Sequence, residues 1–355
     1  MSRSNLVVKV AAVQANPVFL NRTATTEKAC RLIGEAGGNG AEFIVFPEGF
    51  IPAHPNWFHH HAATGPIATQ FSVELFENAV EIPGTEIDAL CDAARDAGAY
   101  VVMGVCERLV GTLGTMFNSQ VFIGPDGSLL GKHQKFMPTV GERIVHTGGH
   151  GDTFGTFPTR FGNASALVCG ENTNPLAIFG LTAENTRIHG MSWPAYFALT
   201  AGPMRNYVLT NSQAFAMMSG AFVVSACSIV DEALIELQQV CAADADVLRS
   251  PHFSGGSVIV APNGKMLAGP IGDKEDILYG ECDFGIIVRT KLRQDFSGHY
   301  NRPDIFQLHV NRSPPRARTD LRDPSKLISG ESNLPRPFAS STESPDLREC
   351  VTDRN

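Results

Sequence analysis

An α/β fold is what this sequence predicts, from three observations. Short runs rich in β-branched and aromatic residues recur along the chain, segments with helical spacing separate several of them, and turn signals join two of the runs into hairpins. The first run is Leu6–Val13. Arg3 precedes it and Val13-Gln14-Ala15 loosely resembles a cleavage site, but Lys9 interrupts a short apolar run, so it reads as a first strand rather than a signal peptide. Ala29, Leu32, Ile33 and Ala36 then fall at i, i+3, i+4 and i+7, one face of an amphipathic helix. Phe43–Phe46 reads as the second strand. Ile87, Leu90, Cys91 and Ala94 repeat the helical spacing before a third strand, Tyr100–Val105. Gln120–Ile123, Ala164–Val168, Phe222–Ala226 and Ser257–Val260 read as further strands. This strand–helix–strand alternation implies an α/β core. Phe122–Leu130 is a strand, a Pro-Asp-Gly turn and a strand, and Ile259–Leu267 repeats the design with Pro-Asn-Gly. Gly141–Phe157, full of Gly, His and Thr, reads as an ordered surface loop, and Tyr196–Met218 as helix-rich and apolar. From Ser313 the composition shifts toward Pro, Ser, Arg and Asp and apolar periodicity is lost. The expected organisation is therefore one domain over 1–312 and a flexible tail over 313–355.

Large α/β folds reach 355 residues as a single unit, and a chain that is 43% hydrophobic and 18% charged can bury a sizeable core. The net charge of −8, well mixed along the chain, argues against nucleic acid as a partner, since phosphate binding needs a basic face. No stretch approaches the roughly 20 apolar residues that span a membrane. Eight cysteines are scattered, with no CxxC pair and no zinc spacing. Several sit in apolar runs, as Cys227 does in AFVVSAC, which predicts free thiols in a reducing, cytoplasmic setting.

Three places carry chemistry. In ASALVCGENTNPLAIFGL an apolar strand runs into Cys169-Gly170-Glu171-Asn172 and then a helical pattern. A cysteine where a strand turns into a helix is lifted out of the core, and a helix N-terminus favours the thiolate. In FPEGF, Glu48 follows an apolar strand in a Pro/Gly turn; apolar surroundings raise a carboxyl pKa and suit a general base. In KHQKFMPTVGER, Lys135 precedes a Pro-Thr turn and the Glu142-Arg143 pair, and a fixed lysine stabilises developing negative charge. Taken singly, each also fits a plainer role: a buried thiol, a turn acid, a solvated basic loop.

Their order along the chain is more specific. A Glu at a strand end, a Lys-x-x-Pro-Thr-x-x-Glu-Arg loop and a Cys-x-Glu after a strand together resemble the nitrilase branch of the carbon–nitrogen hydrolase superfamily, over Val8–Asn311. AAVQANPVF is similar to that family's opening strand, and Phe284–Leu308, with GHYNRPDIFQL, to the closing segment of true nitrilases rather than amidases. Two positions depart from the pattern: Gly170 stands where the family usually has Trp, and His54 where it often has Tyr.

The resemblance implies a four-layer α-β-β-α sandwich. It implies Cys169 as nucleophile, Glu48 as general base, Lys135 as charge-stabilising lysine and Glu142 as a second glutamate beside them. His54, Trp57, Asn172 and Trp193 are the expected substrate-binding residues. The implied reaction takes a small nitrile to its acid and ammonia through a covalent thioimidate and thioester, and needs no metal, nucleotide or organic cofactor. His59-His60-His61 invites a metal, but adjacent residues rarely share an ion, and the triplet is better placed at a substrate entrance. Trp193 reads equally as pocket wall or core. Competing readings are an amidase or carbamoyl hydrolase with the same residues, a hydratase stopping at the amide, and a non-catalytic scaffold. The family's homodimers and spiral filaments are the implied assembly; Tyr196–Met218 reads equally as a contact face or as interior.

Overall fold

The computed structural model describes residues 6–313. The expected tail, 313–355, lies outside these residues except for Ser313.

Two six-stranded sheets organise the chain. The first contains β1 (Val7–Gln14), β2 (Phe43–Val45), β3 (Tyr100–Arg108), β4 (Met116–Ile123), β5 (Leu129–Gln134) and a late strand, β12 (Asp276–Asp283), in the order β12-β1-β2-β3-β4-β5. The second contains β6 (Phe157–Thr159), β7 (Gly162–Val168), β8 (Thr186–Trp193), β9 (Phe222–Cys227), β10 (Val258–Val260) and β11 (Met266–Ala268), in the order β11-β10-β9-β8-β7-β6. β1, β2 and β3 run parallel, as do β7, β8 and β9; the outer pairings are antiparallel.

Side-chain alternation explains the layering. Along β1, Val8, Val10 and Ala12 meet Val45, Val102, Ala166 and Val224 between the sheets. Ala11 and Val13 point the other way, against Ala29 and Ile33 of α1 (Arg22–Gly38) and Ile87 and Leu90 of α3 (Thr85–Ala97). The outer face of the second sheet, with Leu167 and Val223, is covered by α4 (Pro175–Ala183) and α5 (Met204–Ser219) through Ile178, Leu181, Val208 and Phe215. Strands buried on both faces read as near-continuous apolar runs, which is why most were legible. The result is the expected α-β-β-α sandwich. Asn21 caps α1 by accepting from Ala24 N at 3.0 Å, and Asn174 caps α4 by accepting from Leu176 N at 3.0 Å. Around this frame, α2 (Pro66–Asn78) packs Phe71 and Leu75 against Trp57, while α6 (Glu232–Leu237) and α7 (Ala242–Leu248) pack against Tyr196; α8 (Gly285–Lys291) follows β12.

Four expectations need correction. β4 begins at Met116, not Gln120, because the polar triplet Asn118-Ser119-Gln120 is itself buried strand. β12 was not expected; its acidic run DILYGECD buries few positions at a sheet edge. Helix in the stretch Tyr196–Met218 starts only at Met204, after Gly202-Pro203. Finally, Gly141–Phe157 is not simply a surface loop: Glu142 and His146 are buried, drawn inward by the ion pair described next.

Candidate active site

Three strand ends meet in one place. Glu48 follows β2, Lys135 follows β5 and Cys169 follows β7, and the carboxyl ends of strands are where α/β folds gather their ligands. The turn carrying Glu48 lies flat on β3 because residue 104 is glycine: a Cβ there would sit 2.0 Å from the Pro47 carbonyl oxygen. The second sheet completes the support. Ser192 Oγ donates to the Phe46 carbonyl at 2.7 Å and Glu48 N to the Trp193 carbonyl at 3.3 Å.

Cys169 has φ +53°, a left-handed conformation that costs a non-glycine residue about 1–3 kcal/mol and persists only when its surroundings enforce it. Two side chains do so. Asn172 Nδ2 donates to the carbonyls of Leu167 (3.1 Å) and Cys169 (2.9 Å). Its Oδ1 accepts from His189 Nε2 at 2.8 Å, which fixes the tautomer and leaves Nδ1 to accept from Ser165 Oγ at 2.8 Å. His189 is fully buried and stacked on Phe215. On the other side, Glu171 Oε2 accepts from Val168 N (3.1 Å) and His133 Nε2 (3.0 Å), and its Oε1 from Phe136 N (2.5 Å). Glu171 thereby clamps the cysteine turn to the residues flanking Lys135.

The charges form a closed cluster. Lys135, 1% exposed, donates to Glu48 Oε1 at 2.7 Å and Glu142 Oε2 at 2.6 Å. Asn118 Nδ2 bridges the same two carboxylates, to Glu48 Oε1 at 2.7 Å and Glu142 Oε1 at 2.6 Å. Thr139 N (2.8 Å) and His146 Nδ1 (3.1 Å) complete the Glu142 carboxylate. Burial opposes the Lys135 ammonium, yet Glu48, Cys169 and Glu142 outweigh it and hold its pKa well above the usual lysine range. Burial likewise opposes the Glu142 charge, but Lys135 and His146 hold that carboxyl well below its ordinary value. For Cys169 the balance goes the other way: burial, then the Glu48 charge, push the thiol well above its ordinary range, only partly offset by Lys135. That direction runs against the thiolate that a helix N-terminus would favour. Cys169 opens a 3-10 turn, Cys169–Thr173, rather than the start of α4, and the charges of Glu48 and Glu142 act on it. Glu48 Oε2 is buried and has no protein partner, which leaves it available as acceptor.

The predicted substrate-contacting residues are mostly placed behind the wall. At Gly170, the residue after Cys169, opens a cavity of about 470 Å³, lined also by His59, Thr139, Val140, Phe197 and Tyr207. Trp193 is fully buried and meets Phe197 and Tyr207 edge-on from behind. Trp57 is core, packed against Phe19 and Phe71. Asn172 uses its amide within the cysteine turn. His54 Nδ1 lies 3.7 Å from Glu48 Oε1, and burial lowers its pKa against the pull of Glu48 and Glu142. Of the His triplet only His59 reaches the cavity. His60 bonds Asp244 (3.1 Å) and the Tyr196 hydroxyl (2.6 Å), and His61 donates to the Gln238 carbonyl (2.7 Å). Glu48, His54 and Glu142 could offer three ligand atoms to an ion, but their carboxylates already share the Lys135 ammonium.

Comparison with known proteins gives the family. Residues 9–291 match the family model described as carbon–nitrogen hydrolase. The chain belongs to the carbon–nitrogen hydrolase family. Within it, the similar curated relatives place the chain in the nitrilase branch. A nitrilase of Bradyrhizobium diazoefficiens is 36% identical, over 87% of this chain and 94% of that protein. An aliphatic nitrilase of Rhodococcus rhodochrous is 35% identical, over 90% and 85%. A carbon–nitrogen hydrolase from Helicobacter pylori G27 has the same fold, with a TM-score of 0.66 at 19% identity, covering 85% of this chain and 97% of that one.

Reasoning from sequence missed Asn118, His146, His189 and the clamp made by Glu171. A signal existed for the first. Three consecutive polar residues inside MFNSQVFI, flanked by apolar ones, mark a polar network within a core strand.

Proposed function

We propose that this carbon–nitrogen hydrolase is a nitrilase in which Cys169 attacks the nitrile carbon, Glu48 moves the protons and Lys135 stabilises the charge. One observation supports the assignment of roles: a buried thiol on a strained turn feels the charge of Glu48, whose carboxylate has one oxygen without a protein partner and one pinned by a buried ammonium. The thiol proton passes to Glu48 Oε2 as the Sγ–C bond forms. One π pair of the C≡N bond moves to nitrogen, where Lys135 stabilises the negative charge until Glu48 returns the proton, giving a thioimidate. Water, deprotonated by Glu48, adds to that carbon; nitrogen leaves as ammonia and a thioester remains. A second water, activated in the same way, releases the carboxylic acid and restores the thiol. Glu142 holds Lys135 and Asn118 in place rather than touching substrate.

The amidase, carbamoyl hydrolase and hydratase readings share the same residues and differ in product. Nitriles and matching amides supplied side by side, with ammonia, amide and acid quantified, decide between them. The expected result is acid and ammonia from nitriles with wild type, and loss of about 10³-fold or more in Cys169→Ala. Acid from amides alone would overturn the assignment.

No helix among the described residues is long and apolar enough to cross a membrane. All seven described cysteines are free, which suits a cytoplasmic protein. Homodimers extending into spirals remain part of this reading. Leu176, Met217 and Met218 on α4 and α5 expose apolar surface that such packing would cover. The domain occupies 1–312, with 313–355 as an appended tail. Light scattering of the chain with and without 313–355 tests the assembly.

A further inference from the structure

The geometry points to a substrate class: uncharged nitriles bearing a bulky apolar group, an aryl ring above all, with carboxylated and aminated nitriles rejected. This rests on the nitrilase reading and adds what the nitrile must carry. The cavity that Gly170, the nucleophile's chain neighbour, helps to line, about 470 Å³, has the size of a small-molecule site. No Asp, Glu, Lys or Arg lines it. Its titratable groups are His59 and Tyr207. Burial first, then His54 and His60, lower the His59 pKa to about 4, so its ring is neutral near pH 7. Burial raises the Tyr207 phenol, which stays neutral as well.

The remaining wall offers shape and rings. Phe197 and Tyr207 meet edge-to-face at 4.7 Å and 84°, with Trp193 edge-on behind both, a geometry that presents ring faces and edges to an aromatic guest. Gly170 keeps the volume next to Cys169 open. A Cβ there meets only Thr139 Oγ1, at 4.0 Å, and its φ lies outside the left-handed region, so a side chain at this position enters cavity space without backbone strain. The charge balance points the same way. Around the neutral thiol, Glu48 and Glu142 outnumber Lys135, so a substrate carboxylate meets net negative charge in a buried site.

Two measurements test this. The first is kcat/KM for a set of similar size: phenylacetonitrile, a cyclohexyl nitrile, 4-cyanobutanoate and an ammonium-bearing nitrile, with the matching amides run in parallel. Neutral compounds should exceed charged ones by at least about 100-fold, the discrimination expected when a charge enters a site with no partner. Gly170→Phe should lower the ratio of phenylacetonitrile to propionitrile by about tenfold or more, while Gly170→Ala moves it little. The second is calorimetric binding of the same nitriles to Cys169→Ala, which needs no turnover. Charged nitriles binding or reacting as well as neutral ones, or a size ratio unmoved in a folded Gly170→Phe protein, would overturn the proposal. Turnover of amides but not nitriles would sink the nitrilase reading alone, since the amide series and the binding series still report on the cavity.

Discussion

Asn172 grips the backbone of Cys169: its Nδ2 lies 2.9 Å from the carbonyl of the residue whose φ is +53°. His189 in turn holds Asn172 from a fully buried position. Asn172→Ala would take the side-chain donor from the Cys169 carbonyl, at about 1–3 kcal/mol, while the Leu167 carbonyl keeps Gln120 Nε2 at 3.3 Å, and would free the strained turn to relax. The acylation rate should fall by about 10²-fold with KM changed little. His189→Phe keeps the stack on Phe215 but removes the donor, and should show the same kcat loss in milder form. Rapid-quench measurement of covalent intermediate checks both; an undiminished burst in either variant would refute the positioning role.

Glu171 should matter to stability as much as to catalysis. Glu171→Ala orphans the amides of Val168 and Phe136 and the ring of His133, and should cost more than about 3 kcal/mol. Glu171→Gln retains a carbonyl acceptor and should recover part of that loss. Denaturant melts of the two variants give the comparison.

These supports were the least legible part of the chain. Cys169 stood out because a long apolar strand ends on it, and Glu48 because Pro and Gly bracket it after another. Such local breaks in pattern survive in one dimension. Asn118, His133 and His189 join the site through strands whose registers are set by pairing, so nothing beside them in sequence announces their partners. Trp57 stands near Glu48 and His54 in sequence, yet its ring packs against Phe19 and Phe71, a contact that spacing along the chain does not announce. β12 was obscured because an edge strand needs few apolar residues.

Gly104→Ala should displace the Glu48 turn. With the new Cβ 2.0 Å from the Pro47 oxygen, either backbone must shift, at roughly 1–3 kcal/mol. Activity should drop by more than the stability loss explains, because Glu48 moves relative to Lys135. Comparing kcat with the thermal midpoint tests this; equal kcat in a destabilised variant would show that Glu48 stays in place.

Acid should weaken the fold before it protonates many carboxylates. Burial, first among causes, lowers the pKa of His54, His59, His60 and His189, with His59 near 4. Between about 4 and the ordinary 6.5 the unfolded chain binds protons that the native chain does not, so stability rises with pH across that window and is lost as pH falls through it. Glu142, held below its ordinary 4.5, adds its own loss only beneath that value. Thermal midpoints from pH 8 to 4 should decline from about 6.5 downward, and His59→Gln should flatten the upper part of the slope. A midpoint constant down to pH 4.5 would contradict this.

The pairing of β12 with β1 has a consequence for how the protein is made. Five of the six strands in the first sheet are complete by Gln134, but the sixth is supplied by residues 276–283. During synthesis the open edge of β1 must therefore wait while the entire second sheet is translated. At about 5–20 residues per second that interval lasts on the order of ten seconds, with a bare strand edge exposed throughout. Chaperone dependence in a heterologous host should be concentrated in that interval, and a ribosome stalled before residue 276 should hold a nascent chain still prone to pair with its neighbours.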